Sequence, residues 1–160
     1  MLFVGNYMNR LAMFLMLAML LSACGSGEQD TAQKSPPVTA DLRRSSDVAT
    51  VQKGFRLYQE NCATCHGSEG QGAPNWQQVG ADGKYPPPPL NGTGHAWHHP
   101  QAALVRTIKH GTVAIGGKMP ALGEKLDDEE IAAVITWFQS RWPDELYQAW
   151  ARMDRQSRQN

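Results

Sequence analysis

The sequence contains the pentapeptide Cys62-Ala63-Thr64-Cys65-His66, which places two thiols and an imidazole within five residues. A C-x-x-C-H pattern of this kind is typical of covalent haem attachment. Two intervening residues let one turn of chain present both thiols to the two vinyl groups of haem, and the histidine then reaches the iron. The pattern therefore predicts one covalent haem c, held by Cys62 and Cys65, with His66 as an iron ligand.

Two other interpretations of the cysteine pair compete with haem. A C-x-x-C pair in an exported protein can form a redox-active disulfide. It can also supply two zinc ligands, but no second cysteine pair follows to complete a common zinc site. The histidine directly after Cys65 and the export signal described next both favour haem.

The amino-terminal segment is predicted to be an export signal. Eleven apolar residues, Leu11 to Leu21, follow Arg10, and a run of that length is too short to span a bilayer of about 30 Å but suits a secretory signal. It ends in Leu21-Ser22-Ala23-Cys24, which resembles the cleavage site of bacterial lipoproteins. Residues 1–23 are therefore predicted to be removed and Cys24 to carry lipid; the alternative is an ordinary signal peptide with an incidental cysteine.

The remaining chain divides by composition. Residues 24–46 are polar and lack apolar periodicity, which predicts a lipidated N-terminus and flexible linker. Residues 47–142 form the predicted folded domain, and residues 143–160 a C-terminal helix with a frayed tail. Fifteen basic and fifteen acidic residues give a net charge of zero, which argues against a nucleic-acid binder. We expect a monomer at a membrane surface in the cell envelope, facing the periplasm, with Gly25 after the lipidated cysteine slightly favouring the outer membrane.

Capping residues and apolar periodicity predict four helices. The first carries an apolar stripe that includes Val48, Phe55 and Tyr58. The first helix is predicted to start at Asp47 and to continue into the C-x-x-C-H motif. The second is predicted to cover about Gln101 to Lys109 and to end at Gly111, and the third to run from Asp127 to about Arg141. A short fourth helix is predicted to open at Pro143 and to fray after about Asp154.

Only two methionines, Met119 and Met153, follow the predicted signal, and either is a candidate for the second axial ligand. Met119 lies between Gly, Lys and Pro, which is poor core sequence, whereas Met153 lies in a charged tail beyond the last core helix. Met119 is therefore the predicted ligand. A Met/His pair raises the reduction potential relative to a His/His pair.

These motifs together resemble the class I monohaem c-type cytochromes of bacteria, over about residues 48–142. Gly54 and Tyr58 match that family's N-terminal helix pattern, and Val134 and Trp137 match its C-terminal helix. The resemblance implies an all-α cytochrome c fold in which these two helices cross, with glycine allowing the close approach.

The resemblance also extends to the loops. Pro88-Pro89-Leu90 resembles the family's proline loop, which implies that the carbonyl of Pro88 or Pro89 orients His66. The stretch from Gly67 to Pro89 is longer than in the smallest members. Trp97 is implied to donate a hydrogen bond to a haem propionate. Three histidines lie next to Trp97, namely His95, His98 and His99. They leave three possibilities open, which are a copper or zinc site, a propionate or surface role, and alternate iron ligation.

The function implied by this resemblance is that of a one-electron carrier between a redox protein donor and acceptor, and not that of an enzyme. Two alternatives remain, a haem-containing electron-entry subunit of a larger oxidoreductase, and a haem sensor or peroxidase with a displaceable sixth ligand.

Overall fold

The structure, a computed structural model, describes Arg44 and residues 47–159. All of these described residues belong to one compact unit. The predicted signal peptide, Cys24 and all of the predicted linker except Arg44 lie outside the described residues. Within the described part the chain is helical without strands, which confirms the predicted all-α fold.

The described residues form five α-helices and two short 3-10 turns, and none of the helices is long and apolar enough to cross a bilayer. The helices are α1 (Val48–Asn61), α2 (Ala63–His66), α3 (Gln101–His110), α4 (Asp128–Gln139) and α5 (Asp144–Ser157), and the 3-10 turns are Ala96–His98 and Val113–Ile115.

Helix α1 begins where the sequence predicts. The Asp47 carboxylate accepts hydrogen bonds from the backbone N–H groups of Ala49 and Thr50, at 3.3 and 3.1 Å. The predicted apolar stripe is buried only in part, since Tyr58 is fully buried while Val48 and Phe55 are 65% and 44% exposed. The reason is that Gly54 lies at the contact with α4, which turns the neighbouring Phe55 toward the edge of the interface.

Helices α1 and α4 pack against each other at very short range. A Cβ atom on Gly54 would lie 2.0 Å from the carbonyl oxygen of Ala133, so any side chain at this position would collide with the backbone of α4. Next to this contact the rings of Tyr58 and Trp137 have centroids 4.0 Å apart. The glycine therefore allows the aromatic residues of the two helices to pack together in the core.

Helix α4 forms the centre of the core and has the predicted capping box. Asp127 accepts a hydrogen bond from the Glu130 backbone N–H at 2.8 Å, and the Glu130 carboxylate accepts one from the Asp127 N–H at 3.0 Å. Ile131, Val134 and Ile135 are almost completely buried. Since these pairings involve residues within four positions of each other, the start of α4 could be predicted from local sequence.

Helix α5 is longer than expected. It continues to Ser157, past the point near Asp154 at which we expected fraying. Asp154 is only 4% exposed, and its carboxylate accepts a hydrogen bond from the backbone N–H of Gln101 at 2.7 Å. It also pairs with Arg158. Asp154 thus caps the start of α3 and anchors the last turns of α5 to the domain.

Arg44 belongs to the segment expected to be a flexible linker, yet it contacts the domain. Its guanidinium donates to the carbonyl oxygens of Ser140 and Trp142, at 3.1 and 2.5 Å. It also lies 3.3 Å from the Asp144 carboxylate and over the ring of Tyr147. Contact with the folded unit therefore begins upstream of the predicted boundary at residue 47.

Candidate functional site

The C-x-x-C-H segment directly follows α1, with Cys62 at the junction of the two helices and Ala63–His66 forming the short helix α2. The Cys62 N–H donates to the Tyr58 carbonyl at 2.8 Å, and the His66 N–H donates to the Cys62 carbonyl at 2.9 Å. Cys62 is half-buried and Cys65 is exposed, and within the described residues neither forms a disulfide. Burial raises the pKa of the Cys62 thiol to about 11. The turn thus presents two free thiols and the imidazole.

Tyr58 connects the two ends of this turn. Its hydroxyl donates a hydrogen bond to the carbonyl oxygen of Gly67, the residue directly after His66, at 2.8 Å. Burial raises the pKa of Tyr58, so the phenol remains a protonated donor. The aromatic residue that resembles the family's helix pattern therefore also fixes the exit of the C-x-x-C-H turn.

The imidazole of His66 is oriented by the proline loop. Its Nδ1 lies 2.9 Å from the carbonyl oxygen of Pro88, the proline that the structure brings to His66 in preference to Pro89. Burial lowers the pKa of His66, although the hydrogen bond to Pro88 opposes this shift. In the neutral ring, donation from Nδ1 leaves Nε2 as the lone-pair nitrogen, which is the form that binds a metal.

The proline loop is held by hydrogen bonds from two directions. From the C-x-x-C-H side, the Leu90 N–H donates to the Gly70 carbonyl at 2.7 Å. From the C-terminal side, the indole N–H of Trp142 donates to the Leu90 carbonyl at 2.8 Å. We did not predict this role of Trp142. The only sequence signal for it is a tryptophan directly after an amphipathic helix, and such a residue normally indicates core packing.

The two candidate methionines occupy different surroundings. Met119 is half-buried in the segment between α3 and α4, and its backbone pairs with that of Thr112. Met153 lies beyond α4, inside α5, and packs against the core. Met153 thus has the surroundings of a packing residue.

The histidine-rich segment lies at the surface. His95 stacks on Trp76 with ring centroids 5.5 Å apart, and its edge contacts His99 at 5.6 Å. Among the described residues no three His, Cys, Asp or Glu side chains are grouped so that they could hold a metal ion, so the second metal site expected as one alternative finds no support. The indole N–H of Trp97, expected to reach a propionate, donates to the Gly94 carbonyl at 3.0 Å.

The donor chemistry of this region fits a covalent haem. Two free thiols lie on the same turn as a neutral imidazole whose Nδ1 is already bonded. The apolar side chains of Leu90, Val105 and Met119 are only partly buried against the core, and they offer the macrocycle further apolar surface. The hydrogen-bond partner of His66 Nδ1 is an uncharged backbone carbonyl and not a charged side chain.

Comparison with known proteins agrees with this chemistry. The family described as cytochrome c oxidase, cbb3-type, subunit III matches residues 49–138. The cbb3-type cytochrome c oxidase subunit CcoP of Azospirillum brasilense is 38% identical over 96 residues, which cover 59% of this chain and 30% of that subunit. Cytochrome c-551 of Bacillus subtilis is 32% identical over 127 residues, which cover 78% of this chain and 88% of that protein. No solved structure matches the chain.

The lengths of the two alignments show which part of each relative corresponds to this chain. The alignment spans less than a third of the oxidase subunit but most of cytochrome c-551, so the common part is the cytochrome domain. It includes the C-x-x-C-H turn and the helices that support it. The chain belongs to the c-type cytochrome family represented by subunit III of cbb3-type cytochrome c oxidase, and its cofactor is covalently bound haem c.

Proposed function

We propose that the chain is a one-electron carrier of a bacterial cell envelope and not an enzyme. Bound haem supplies one reversible electron, through the ferric and ferrous states of its iron. The observation that carries the proposal is the pairing of a C-x-x-C-H turn with the hydrogen bond from His66 to the Pro88 carbonyl. This bond holds a neutral imidazole in one orientation, so the iron ligand does not have to rearrange when the oxidation state changes.

Each residue of the site has a defined task in this proposal. Cys62 and Cys65 would form the thioether bonds, and His66 would bind the iron through Nε2. Met119 would supply its thioether sulfur as the second iron ligand, which would raise the reduction potential. Pro88 orients His66, Pro89 keeps the loop rigid, and Trp97 closes its own turn through its bond to the Gly94 carbonyl.

Optical spectroscopy and a redox titration of the purified haem-loaded protein test this function. The pyridine haemochrome spectrum is expected to give one haem c per chain. The ferric protein is expected to be low-spin, with the long-wavelength charge-transfer band of methionine ligation, and to be reduced reversibly by one electron. A high-spin ferric spectrum with rapid binding of peroxide or carbon monoxide would instead indicate the sensor or peroxidase alternative.

A second candidate function is electron entry into a larger oxidoreductase. It is favoured by the similarity to oxidase subunits, among them the cbb3-type subunit FixP of Azorhizobium caulinodans, which is 33% identical over 93 residues. Purification of the tagged full chain from native membranes in mild detergent separates the two functions. A carrier is expected to elute alone, whereas a stable stoichiometric complex that retains oxidase or dehydrogenase activity would support the subunit function.

We further propose that residues 1–23 are removed on export and that lipid on Cys24 holds the protein at a membrane surface. Two or more acyl chains give stable anchoring, and this would concentrate the carrier near membrane-bound redox partners. The Cys24→Ser variant is expected to appear in the soluble periplasmic fraction with an unchanged haem spectrum. Separation of the two membranes by density tests the outer-membrane preference, and wild-type protein in the soluble fraction would contradict the anchor.

A further inference from the structure

Thr112 is bonded to the segment that carries Met119 through its N–H, carbonyl and hydroxyl groups. The Thr112 N–H donates to the Met119 carbonyl at 2.8 Å. The Met119 N–H donates to the Thr112 hydroxyl at 3.1 Å. The Gly117 N–H donates to the Thr112 carbonyl at 2.8 Å. The two ends of the loop are therefore joined at a single residue.

Gly117 makes this arrangement possible. A Cβ atom at this position would lie 2.1 Å from the Thr112 hydroxyl oxygen, so a side chain would displace the hydroxyl from its bond to Met119. The same loop is also held from outside. Lys84 donates to the Gly117 carbonyl at 3.2 Å, and Asp82 pairs with Lys118 at 2.6 Å. Both partners come from the stretch between Gly67 and Pro89 that is longer than in the smallest cytochromes of this class.

We propose that Thr112 is a positioning residue for Met119 as the axial haem ligand, an inference that rests on the proposed function. A thioether is a weak ligand, so the fraction of time it spends on the iron depends on the freedom that the loop regains on release. Because the backbone is held at both the N–H and the carbonyl of Met119, the loop regains little conformational freedom when the sulfur leaves the iron. Loss of the hydroxyl frees one side of the methionine and makes release easier.

Displacement of the methionine by imidazole measures this effect. Imidazole binds the ferric iron only after Met119 leaves, so its apparent affinity rises by the factor by which release becomes easier. Thr112→Val keeps the shape of the side chain but removes the acceptor. We expect it to bind imidazole about three- to tenfold more tightly than the wild type, the range that one lost hydrogen bond gives. The charge-transfer band of the variant should bleach at correspondingly lower imidazole concentrations.

Three further variants control this measurement. Thr112→Ser keeps the hydroxyl and is expected to restore wild-type imidazole affinity, which a purely packing role of the threonine methyl group would not predict. Thr107→Val, an exposed position of α3, is expected to leave the affinity unchanged. If Thr112→Val does not accumulate as folded protein, Thr112→Ala against Thr112→Ser gives the same comparison.

Met119→Ala distinguishes failure of this inference from failure of the proposed ligation. If Met119→Ala binds imidazole far more tightly than the wild type while Thr112→Val does not differ from it, Thr112 has no positioning role but the ligation is supported. If Met119→Ala itself matches the wild type, Met119 is not the ligand, and the ligation and the role of Thr112 are both overturned.

Discussion

At the scale of single residues, one hydrogen bond determines the chemical form of the proposed proximal ligand. His66 donates from Nδ1 to the Pro88 carbonyl, and burial lowers the pKa of the ring. Burial favours the neutral imidazole against the opposing effect of this hydrogen bond, and the bond places the proton on Nδ1 and so leaves the lone pair on Nε2, which is the state that a metal requires. The preference for Pro88 over Pro89 is a matter of backbone direction in a run of four prolines, and composition cannot distinguish the two.

The first prediction concerns Met119. Met119→His should retain the covalent haem, lose the charge-transfer band of methionine ligation, and lower the reduction potential by on the order of 100 mV, part of the range of about 0.8 V that axial ligands span. Imidazole nitrogen favours ferric iron more than thioether sulfur does. Spectroelectrochemistry measures both changes. Met153→His serves as the control, and an unchanged spectrum in Met119→His would contradict the assignment of the ligand.

The second prediction concerns the pH dependence of the α1 cap. The hydroxyl of Thr50, followed by the N–H groups of Thr50 and Ala49, lowers the pKa of Asp47 from its ordinary value of 3.8. A lowered folded-state pKa means that the cap stabilises the protein above the unfolded-state value, and that this stability is lost as the pH falls through the folded-state value. Asp47→Ala should therefore melt at a lower temperature at pH 7, with the difference from wild type shrinking below about pH 4.

Asp47→Asn is the matched control for this prediction. Asparagine caps helices about as well as aspartate but carries no charge. Its melting temperature should stay close to that of the wild type at pH 7, and its difference from Asp47→Ala should persist in acid. Thermal melts of the haem-loaded proteins across the pH range test both statements, and a wild-type advantage over Asp47→Ala that is constant with pH would contradict them.

At the scale of elements, the fold depends on how two helices cross and on how a third one is capped. The contact of α1 with α4 leaves no space for a side chain at Gly54. Helix α5 packs beside the start of α3, where Trp150 donates to the His99 carbonyl at 2.9 Å and Asp154 caps α3. These contacts join the amphipathic helices around the segment that bears Trp97.

The third prediction tests the crossing of α1 and α4. Gly54→Ala should destabilise the protein by about 3 kcal/mol, the upper part of the usual range for overpacking, because its Cβ meets a backbone atom that cannot move aside. Chemical denaturation of the haem-loaded protein measures the change in the free energy of unfolding. Gly116→Ala is a useful comparison, since its Cβ enters open space and only its left-handed φ of 89° opposes the substitution. Equal losses in the two variants would contradict this view of Gly54.

The fourth prediction tests the cap that α5 supplies to α3. Asp154→Ala removes the acceptor for the Gln101 N–H and should cost about 1 to 2 kcal/mol of unfolding free energy. Arg158→Ala removes only the exposed partner of the same carboxylate and should cost less than about 1 kcal/mol. If denaturation curves show equal losses, the ion pair and not the cap accounts for the role of Asp154.

At the scale of the whole molecule, stability should depend on the cofactor. A domain of about 100 residues has a small core of its own, and several of its apolar side chains are only partly buried by protein atoms, among them Leu90, Val105 and Met119. Covalent haem adds apolar surface that these residues can cover. It also connects the C-x-x-C-H turn to the rest of the domain.

The fifth prediction follows from this dependence. A Cys62→Ala, Cys65→Ala variant, which cannot form the thioether bonds, should be largely unfolded when purified without haem. Its far-ultraviolet circular dichroism should show much less helix than that of the haem-loaded wild type. Full native helicity with a cooperative melting transition in the haem-free variant would show that the polypeptide core alone is sufficient.

The local features of this protein are encoded in short stretches of its sequence. The C-x-x-C-H pattern, the Asp47 cap, the capping box of Asp127 and the end of α3 at Gly111 all depend on residues within about four positions of each other, so that they can be found by inspection. The cofactor follows from the C-x-x-C-H pattern, and the all-α class from the resemblance to c-type cytochromes that these patterns carry.

The contacts between groups that are distant in sequence depend on the three-dimensional packing of the chain. The bond from His66 to Pro88 joins residues 22 positions apart, the cap from Asp154 to Gln101 spans 53, and the contact of Arg44 with Ser140 spans 96. The pairing of Thr112 with Met119 closes a loop between residues 7 positions apart. Such contacts depend on backbone direction and on the packing of whole helices, and neither residue type nor periodicity encodes these at a single position.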